Sequence, residues 1–369
     1  MLPAAAPRPP PPAAPGPPPP DVPDAGAPVA TPDAGAPPGP PSVSFLTVGD
    51  VMLSRLVAAA IEKAGDPLLP WRNVAALLGS VDFTFANLEA PISGADRFSA
   101  GPAQIFNTPR AYAQGLVEHR LRIVNLANNH ALDQGLGGLV HTLAFLREHG
   151  IETIGAGPTA AQAWRPAVVE ARGVRIGFVG ASEASVNTSR KIWLDYVARI
   201  EDKGRLRGAI AELRQKADFV VATMHAGIEY VPRHYGPQRL FARAAIDYGA
   251  DLVLGSHPHV VQDVEIYRGR YIFYSLGNFV FDHSRPHTTE AVAVKTVLRI
   301  ESAGTDSGAE AGAGRRVRLD RLELVPLVIE NQCCPRPAGE AEAGAILQRM
   351  GLSEPVLQPP PPAPAGSTR

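Results

Sequence analysis

Cysteine is nearly absent from this chain. Of 369 residues only two are Cys, adjacent at Cys333-Cys334. No C-x-x-C spacing is present for a structural zinc site. Neighboring cysteines rarely make a comfortable disulfide, so the pair reads as two thiols near a domain edge. Charge of one sign is not in excess either. The formal net charge is -1, and charged residues make up only 19% of the chain, below the roughly 25% of typical domains. Such a balance gives nucleic acid or an anionic membrane surface little to hold, so no nucleic-acid partner is expected. Long hydrophobic runs are lacking too. No apolar stretch approaches the roughly 18 residues of a membrane helix. Residues 1–20 carry one Arg and many prolines, with no apolar segment of the signal-peptide kind.

Proline is abundant but confined. Of 38 prolines, eighteen lie within residues 1–41 and six within 355–369, which leaves fourteen between. Residues 1–42 are mostly Pro, Ala and Gly, and Pro-Asp-Ala-Gly-Ala-Pro occurs at both 23–28 and 32–37. Such a composition buries too little to offset its own ordering entropy, so it reads as a disordered, semi-extended tether. It suits a spacer behind an exported or lipid-anchored start, which favors an extracytoplasmic location. Residues 331–369 are expected to form a Pro-rich, largely disordered tail. Residues 43–330 remain for the fold, enough for one sizeable α/β domain with a full core.

Within that stretch, strand and helix signals alternate. Strands are expected at 43–48, 82–88, 121–126, 167–171, 174–180, 218–224 and 251–255. Helices are expected near 54–64, 109–118, 136–149, 205–216 and 237–248. The run 170–175, with Gly173 inside it, reads as a hairpin turn. Three β-rich pieces follow at 259–267, 271–275 and 290–300. A Gly/Ala/Ser-rich loop at 302–314 then precedes a last strand, 316–329. Early βαβ alternation followed by hairpins implies two sheets with helices on their outer faces.

Five short polar clusters stand at the ends of apolar runs. They are Gly49-Asp50, Asn87-Leu88-Glu89, Asn128-Asn129-His130, His225 through Glu229, and Gly255-Ser256-His257-Pro258-His259. Each has an ordinary reading. Asp50 caps the following helix, the Asn pair makes a turn, and His225 is a satisfied core residue. Glu89 is harder to dismiss, because a carboxylate closing a buried strand calls for a partner or a metal. Asp133 and Gly135 follow the Asn-Asn-His run. Glu229, four residues past His225, stands where it can orient that ring or a neighbor by a hydrogen bond. His257 and His259 face opposite ways in an extended chain, but the flanking Gly-Ser and Pro258 argue for a loop on which both converge. Ligands gather outside the carboxyl ends of strands in α/β sheets, so five such clusters point to one site. Oxygen and nitrogen donors without thiolate argue for Mn²⁺, Fe²⁺ or Zn²⁺.

These motifs, with Ser275-Leu276-Gly277-Asn278-Phe279, resemble the CapA family of poly-γ-glutamate capsule biosynthesis proteins, a branch of the calcineurin-like metallophosphoesterases. The resemblance covers about residues 43–330. It implies an α/β/β/α sandwich of two mixed β-sheets and a center for two divalent ions. Carried across by motif, Asp50 and His259 would hold the first metal. Asn129, His225 and His257 would hold the second, and Glu89 would bridge them. His130 would protonate the leaving group. Glu229 joins His130 as a catalytic candidate, with Asn87, Asn128, Asp133 and Asn278 lining the site. One departure stands out. Metallophosphoesterases usually open with Asp-x-His, whereas this chain reads Asp50-Val51-Met52, and a thioether is a poor ligand for these metals.

Two functions follow as expectations. In the first, the protein is a metal-dependent phosphoesterase-type hydrolase of capsule-polymer metabolism, acting on a phosphoester or an anionic polymer. In the second, it is a weakly catalytic or non-catalytic accessory to synthesis or export of such a polymer, working with membrane-associated capsule machinery.

Overall fold

Buried strands of this chain are hydrophobic on both faces. β1 (Ser42–Val51) turns Phe45 to one side and Leu46 to the other, and both are fully buried. Strands covered on two sides read as such continuous apolar runs. In the computed structural model, residues 41–99, 105–183, 195–301 and 316–361 are described. Residues 1–40, 100–104, 184–194, 302–315 and 362–369 lie outside the described residues, and with them most of the tether, the whole 302–314 loop and the end of the tail.

The further strands are β2 (Phe83–Leu88), β3 (Leu121–Asn125), β4 (Glu152–Ile154), β5 (Ala167–Ala171), β6 (Val174–Ser182) and β7 (Phe219–His225). After them come β8 (Leu252–Ser256), β9 (Val264–Tyr267), β10 (Arg270–Phe273), β11 (Asn278–Val280) and β12 (Glu290–Glu301). The last are β13 (Arg316–Glu330), β14 (Cys334–Pro337) and β15 (Val356–Leu357). One sheet has nine strands in the order β14-β13-β12-β1-β2-β3-β4, with β11 against β1 and β15 against β13. The other has six, in the order β5-β6-β7-β8-β10-β9. Both are mixed. β1 to β4 run parallel while β12 to β14 are antiparallel; β6, β7, β8 and β10 are parallel, with an antiparallel strand at each edge.

Between the sheets lies an apolar layer. Phe45 stacks on Phe83 at 5.3 Å, and Phe178 of the opposite sheet meets Phe45 edge-on at 5.9 Å. On the outer face of the first sheet, Val57 and Ile61 of helix Arg55–Ala64 and Leu139 and Phe145 of helix Gly135–Glu148 pack with Leu46 and Val124. Over the second sheet lie helices Lys203–Lys216 and Gly236–Tyr248, through Leu206, Ile210, Leu213 and Phe241. The result is helix, sheet, sheet, helix, as expected. No helix among the described residues is long and apolar enough to cross a membrane.

Two expectations fail. The fold does not stop at residue 330: β14 pairs with β13, helix Glu340–Arg349 follows, and β15 returns to β13. Ile346, Leu347 and Met350 are buried in the layer between the sheets. Three apolar side chains in a Pro-flanked segment suffice because a sheet face waits for them. Nor are Cys333 and Cys334 free thiols. They form a disulfide with each other, buried at the tight β13–β14 turn where Asn331 and Gln332 adopt left-handed backbone.

Candidate metal center

Parallel strands in register place their ends level. Asp50 of β1 pairs with Asn87 of β2 and with Asn278 of β11, and Asn87 pairs with Asn125 of β3. In the second sheet His225 of β7 pairs with Ser256 of β8. Asp50, Asn87, Asn125, His225 and Ser256 lie at or next to the carboxyl ends of their strands, where peptide hydrogen bonding has run out and side chains take over, and Asn278 opens β11 beside them. Two glycines permit this crowding. A Cβ on Gly49 would stand 1.9 Å from the Gly277 carbonyl oxygen, and one on Gly255 would stand 2.1 Å from that of Tyr274. Past the strand ends the backbone is strained. Arg55, Tyr230, His257 and His259 have φ of 47, 66, 101 and 58 degrees. Residues other than glycine persist there when their surroundings demand it, often at functional sites.

The demand here is convergence. Glu89, His225 and His257 form one group whose donor atoms all lie within 4.8 Å of one another; Asp50, Glu89 and His259 form a second. Glu89 belongs to both. Its Oε1 lies 3.6 Å from His225 Nε2 and 3.8 Å from His259 Nε2. Asn129 joins the first group, with Oδ1 at 2.8 Å from His225 Nε2, and His257 Nδ1 stands 3.0 Å from that same nitrogen. Asp50, Glu89, His225, His257 and His259 are all buried.

A surrounding layer orients these groups. The Asn87 amide donates to Asp50 Oδ1 at 2.7 Å and accepts from the Asn125 amide at 2.9 Å. His225 Nδ1 faces Ser256 Oγ at 3.1 Å, which turns Nε2 toward Glu89. His259 Nδ1 meets Asn278 Oδ1 at 2.8 Å, leaving Nε2 on the Glu89 side. Partners of this kind hold ligand rings in place. The Asn128 amide donates to the Leu88 carbonyl at 2.8 Å, and its oxygen accepts from the His130 N–H at 3.1 Å. His130 Nδ1 lies 2.7 Å from Asp133 Oδ2, and its ring stacks on Phe106 at 3.8 Å.

The electrostatics are those of a center short of positive charge. Burial lifts the Asp50 carboxyl to about 7, against hydrogen bonds from Asn87 and the His257 N–H that favor its charged form. Glu89 is raised well above the usual carboxylate range by burial first and the Asp50 charge second. As carboxylates, both Glu89 oxygens are buried with no hydrogen-bond donor. Burial also depresses His225, His257 (to about 3) and His259, so all three are neutral. A buried anion with neither donor nor cation is costly. The orphaned Glu89 carboxylate, set among neutral imidazoles, therefore fits divalent cations.

Most of the residues singled out from the sequence thus meet in one place. Glu229 does not hold the His225 ring, which Ser256 and Asn87 do; it is exposed and interacts with the Tyr230 hydroxyl. Several residues were not foreseen. Arg55 forms a two-point ion pair with Asp282 and lies 4.8 Å over the Phe106 ring. No local pattern reveals it, because 227 positions separate the partners. Arg285 lies 4.4 Å over the Tyr230 ring, and His283 packs 4.6 Å from His259. Met52, where a histidine was looked for, is fully buried in the outer core.

The family model for bacterial capsule synthesis protein PGA_cap matches residues 44–283. This chain belongs to that family. Among its relatives, the PGA biosynthesis protein CapA of Bacillus subtilis is 31% identical over 71% of this chain and 69% of its own length. The capsule biosynthesis protein CapA of Bacillus anthracis is 28% identical over 80% of this chain and 69% of its own. A Mycobacterium tuberculosis relative, named a probable polyglutamine synthesis accessory protein, is 31% identical over 64% of this chain and 65% of its own. Among solved structures, a calcineurin-like phosphoesterase of Bacillus subtilis is 13% identical, covers 84% of this chain and 96% of itself, and has a TM-score of 0.46. At that score the likeness bears on no residue's role.

Proposed function

We propose that the protein is a metal-dependent hydrolase of the phosphoesterase type, acting on a phosphoester or an anionic polymer of the capsule kind. The observation that carries this reading is Glu89, a buried carboxylate shared by two donor groups and lacking any hydrogen-bond donor. Asp50, His259 and Glu89 would hold one divalent ion; Asn129, His225, His257 and Glu89 would hold the other. Mn²⁺, Fe²⁺ or Zn²⁺ bound there would supply a Lewis acid for activating water and for neutralizing charge on a phosphoryl group. His130, with Nδ1 on Asp133, presents its other nitrogen for proton transfer to the leaving oxygen. The exposed Arg285 guanidinium over Tyr230 offers an anion a place to rest near the center.

A second reading is favored by Met52. An ion site short of one nitrogen suits a weak catalyst, or an accessory to polymer synthesis and export like the one named in the mycobacterial relative. Turnover of bis-nitrophenyl phosphate by metal-loaded protein separates the two. The hydrolase reading expects turnover that Asp50→Ala abolishes. Equal rates for both proteins, or none for either, would leave the accessory role standing.

A further inference from the structure

The first ion site has few donors. Asp50, Glu89 and His259 are the His, Cys, Asp or Glu donors grouped there among the described residues. Met52 cannot add to them. Its sulfur takes the Ser54 N–H at 3.1 Å, and its side chain belongs to the apolar cluster outside the sheet. Yet another imidazole stands beside this site. His283 follows β11 by three residues, and its ring lies 4.6 Å from that of His259, nearly perpendicular at 84 degrees. That separation equals the 4.6 Å between His225 and His257, the pair assigned to the other ion.

His283 is also incompletely satisfied. Its Nδ1 is buried and has no hydrogen-bond partner. Glu89 is the other residue of the center in that condition. Its neighbors hold it near the site. The ring packs on Phe281 at 4.6 Å and faces Tyr230 at 5.7 Å. Asp282, immediately before it, is clamped by Arg55, and its carbonyl accepts from Gln332 at 3.1 Å. A buried nitrogen without a partner is rare enough to call for an unseen one. Imidazole is a good donor for the metals in question, as a thioether is not.

We propose that His283 is a donor to the first ion, supplying the nitrogen that Met52 cannot. The assignment rests on the two-ion reading of the center. His283 stands outside the compact group of Asp50, Glu89 and His259, so ion binding draws its ring inward. The loss of the Asp-x-His imidazole is then compensated from a different part of the chain, 231 positions away (283 − 52).

Titration of the full, chelator-stripped chain with Mn²⁺, followed by calorimetry and electron paramagnetic resonance, tests this. Wild-type protein is expected to take up two ions and show the signal of a coupled pair. His283→Ala and His283→Gln should each retain one ion, bind the other at least about tenfold more weakly, and show isolated Mn²⁺ instead. Two ions bound at wild-type affinity in both variants, with the coupled signal intact, would overturn the assignment. A wild-type chain that binds two ions but hydrolyzes nothing sinks the hydrolase reading and leaves His283 to be judged by the titration. One that binds no ion sinks both.

Discussion

Two histidines of ordinary appearance can differ entirely in what they are for, and their partners tell them apart. His225 points Nε2 at Glu89 and Asn129, so its removal should cost an ion. His130 points Nδ1 at a carboxylate, Asp133, is stacked on Phe106, and belongs to neither donor group. It is therefore assigned to proton transfer. His130→Ala should keep its metal content while turnover of a substrate with a poor leaving group falls about 10²–10⁴-fold. A nitrophenolate leaving group needs no proton and should suffer less. Equal losses for the two substrates, or loss of metal on elemental analysis, would mark His130 as a ligand or a structural residue.

Elements matter here mainly for where they end. Four parallel strands of one sheet and four of the other deliver their carboxyl ends to the same edge, and the donors ride on the residues just past them. The elements remote from the center have a different task. Helix Glu340–Arg349 buries Ile346 and Leu347 against β12 and β13, closing the layer between the sheets. Its Arg349 pairs with Glu290 at 2.6 Å. Leu347→Ala should thus destabilize the fold by about 2–5 kcal/mol through lost transfer energy and a residual cavity. Urea unfolding would register this as a lower midpoint at unchanged slope. A midpoint equal to wild type would mean that the helix contributes no core, as its Pro-flanked sequence had suggested.

For the whole molecule, the buried carboxyls of the center are a source of instability at neutral pH. Asp50 and Glu89 have folded-state pKa values above their ordinary ones, Asp50 at about 7. Groups shifted upward favor the native state at low pH and lose that contribution as pH climbs through the folded value. The three histidines are shifted downward and act in the opposite sense, but only below their ordinary value of 6.5. From pH 6.5 to about 8 the carboxyls decide. The melting temperature of chelator-stripped protein should therefore fall across that window, and less steeply in Asp50→Asn. Saturating Mn²⁺ should raise the melting temperature and abolish the fall, because ions bind the deprotonated donors. A stripped protein whose melting temperature rose from 6.5 to 8 would show that the carboxyls carry no such strain.

Much of this was legible along the chain. Apolar runs and their spacing determined the alternating strands and helices, the hairpin at 170–175 and the two-sheet plan, because burial on both faces leaves a continuous hydrophobic signature. Polar clusters at strand ends marked Asp50, Glu89, His225, His257 and His259, because a donor at the end of a buried strand is conspicuous in its own neighborhood. What tertiary structure alone decided was everything depending on distant partners. Arg55 meets Asp282, His283 meets His259, and the Cys333-Cys334 turn meets the sheet edge through contacts with no local pattern. The segment after residue 330 looked unable to fold because its own apolar content is small, and it folds because β13 and the open layer beneath it were already there. The Glu229 contact failed for the same reason in reverse: a spacing of four residues promised a contact with His225, but Ser256 and Asn87, brought from other strands, take that ring and Glu229 stays exposed beside Tyr230.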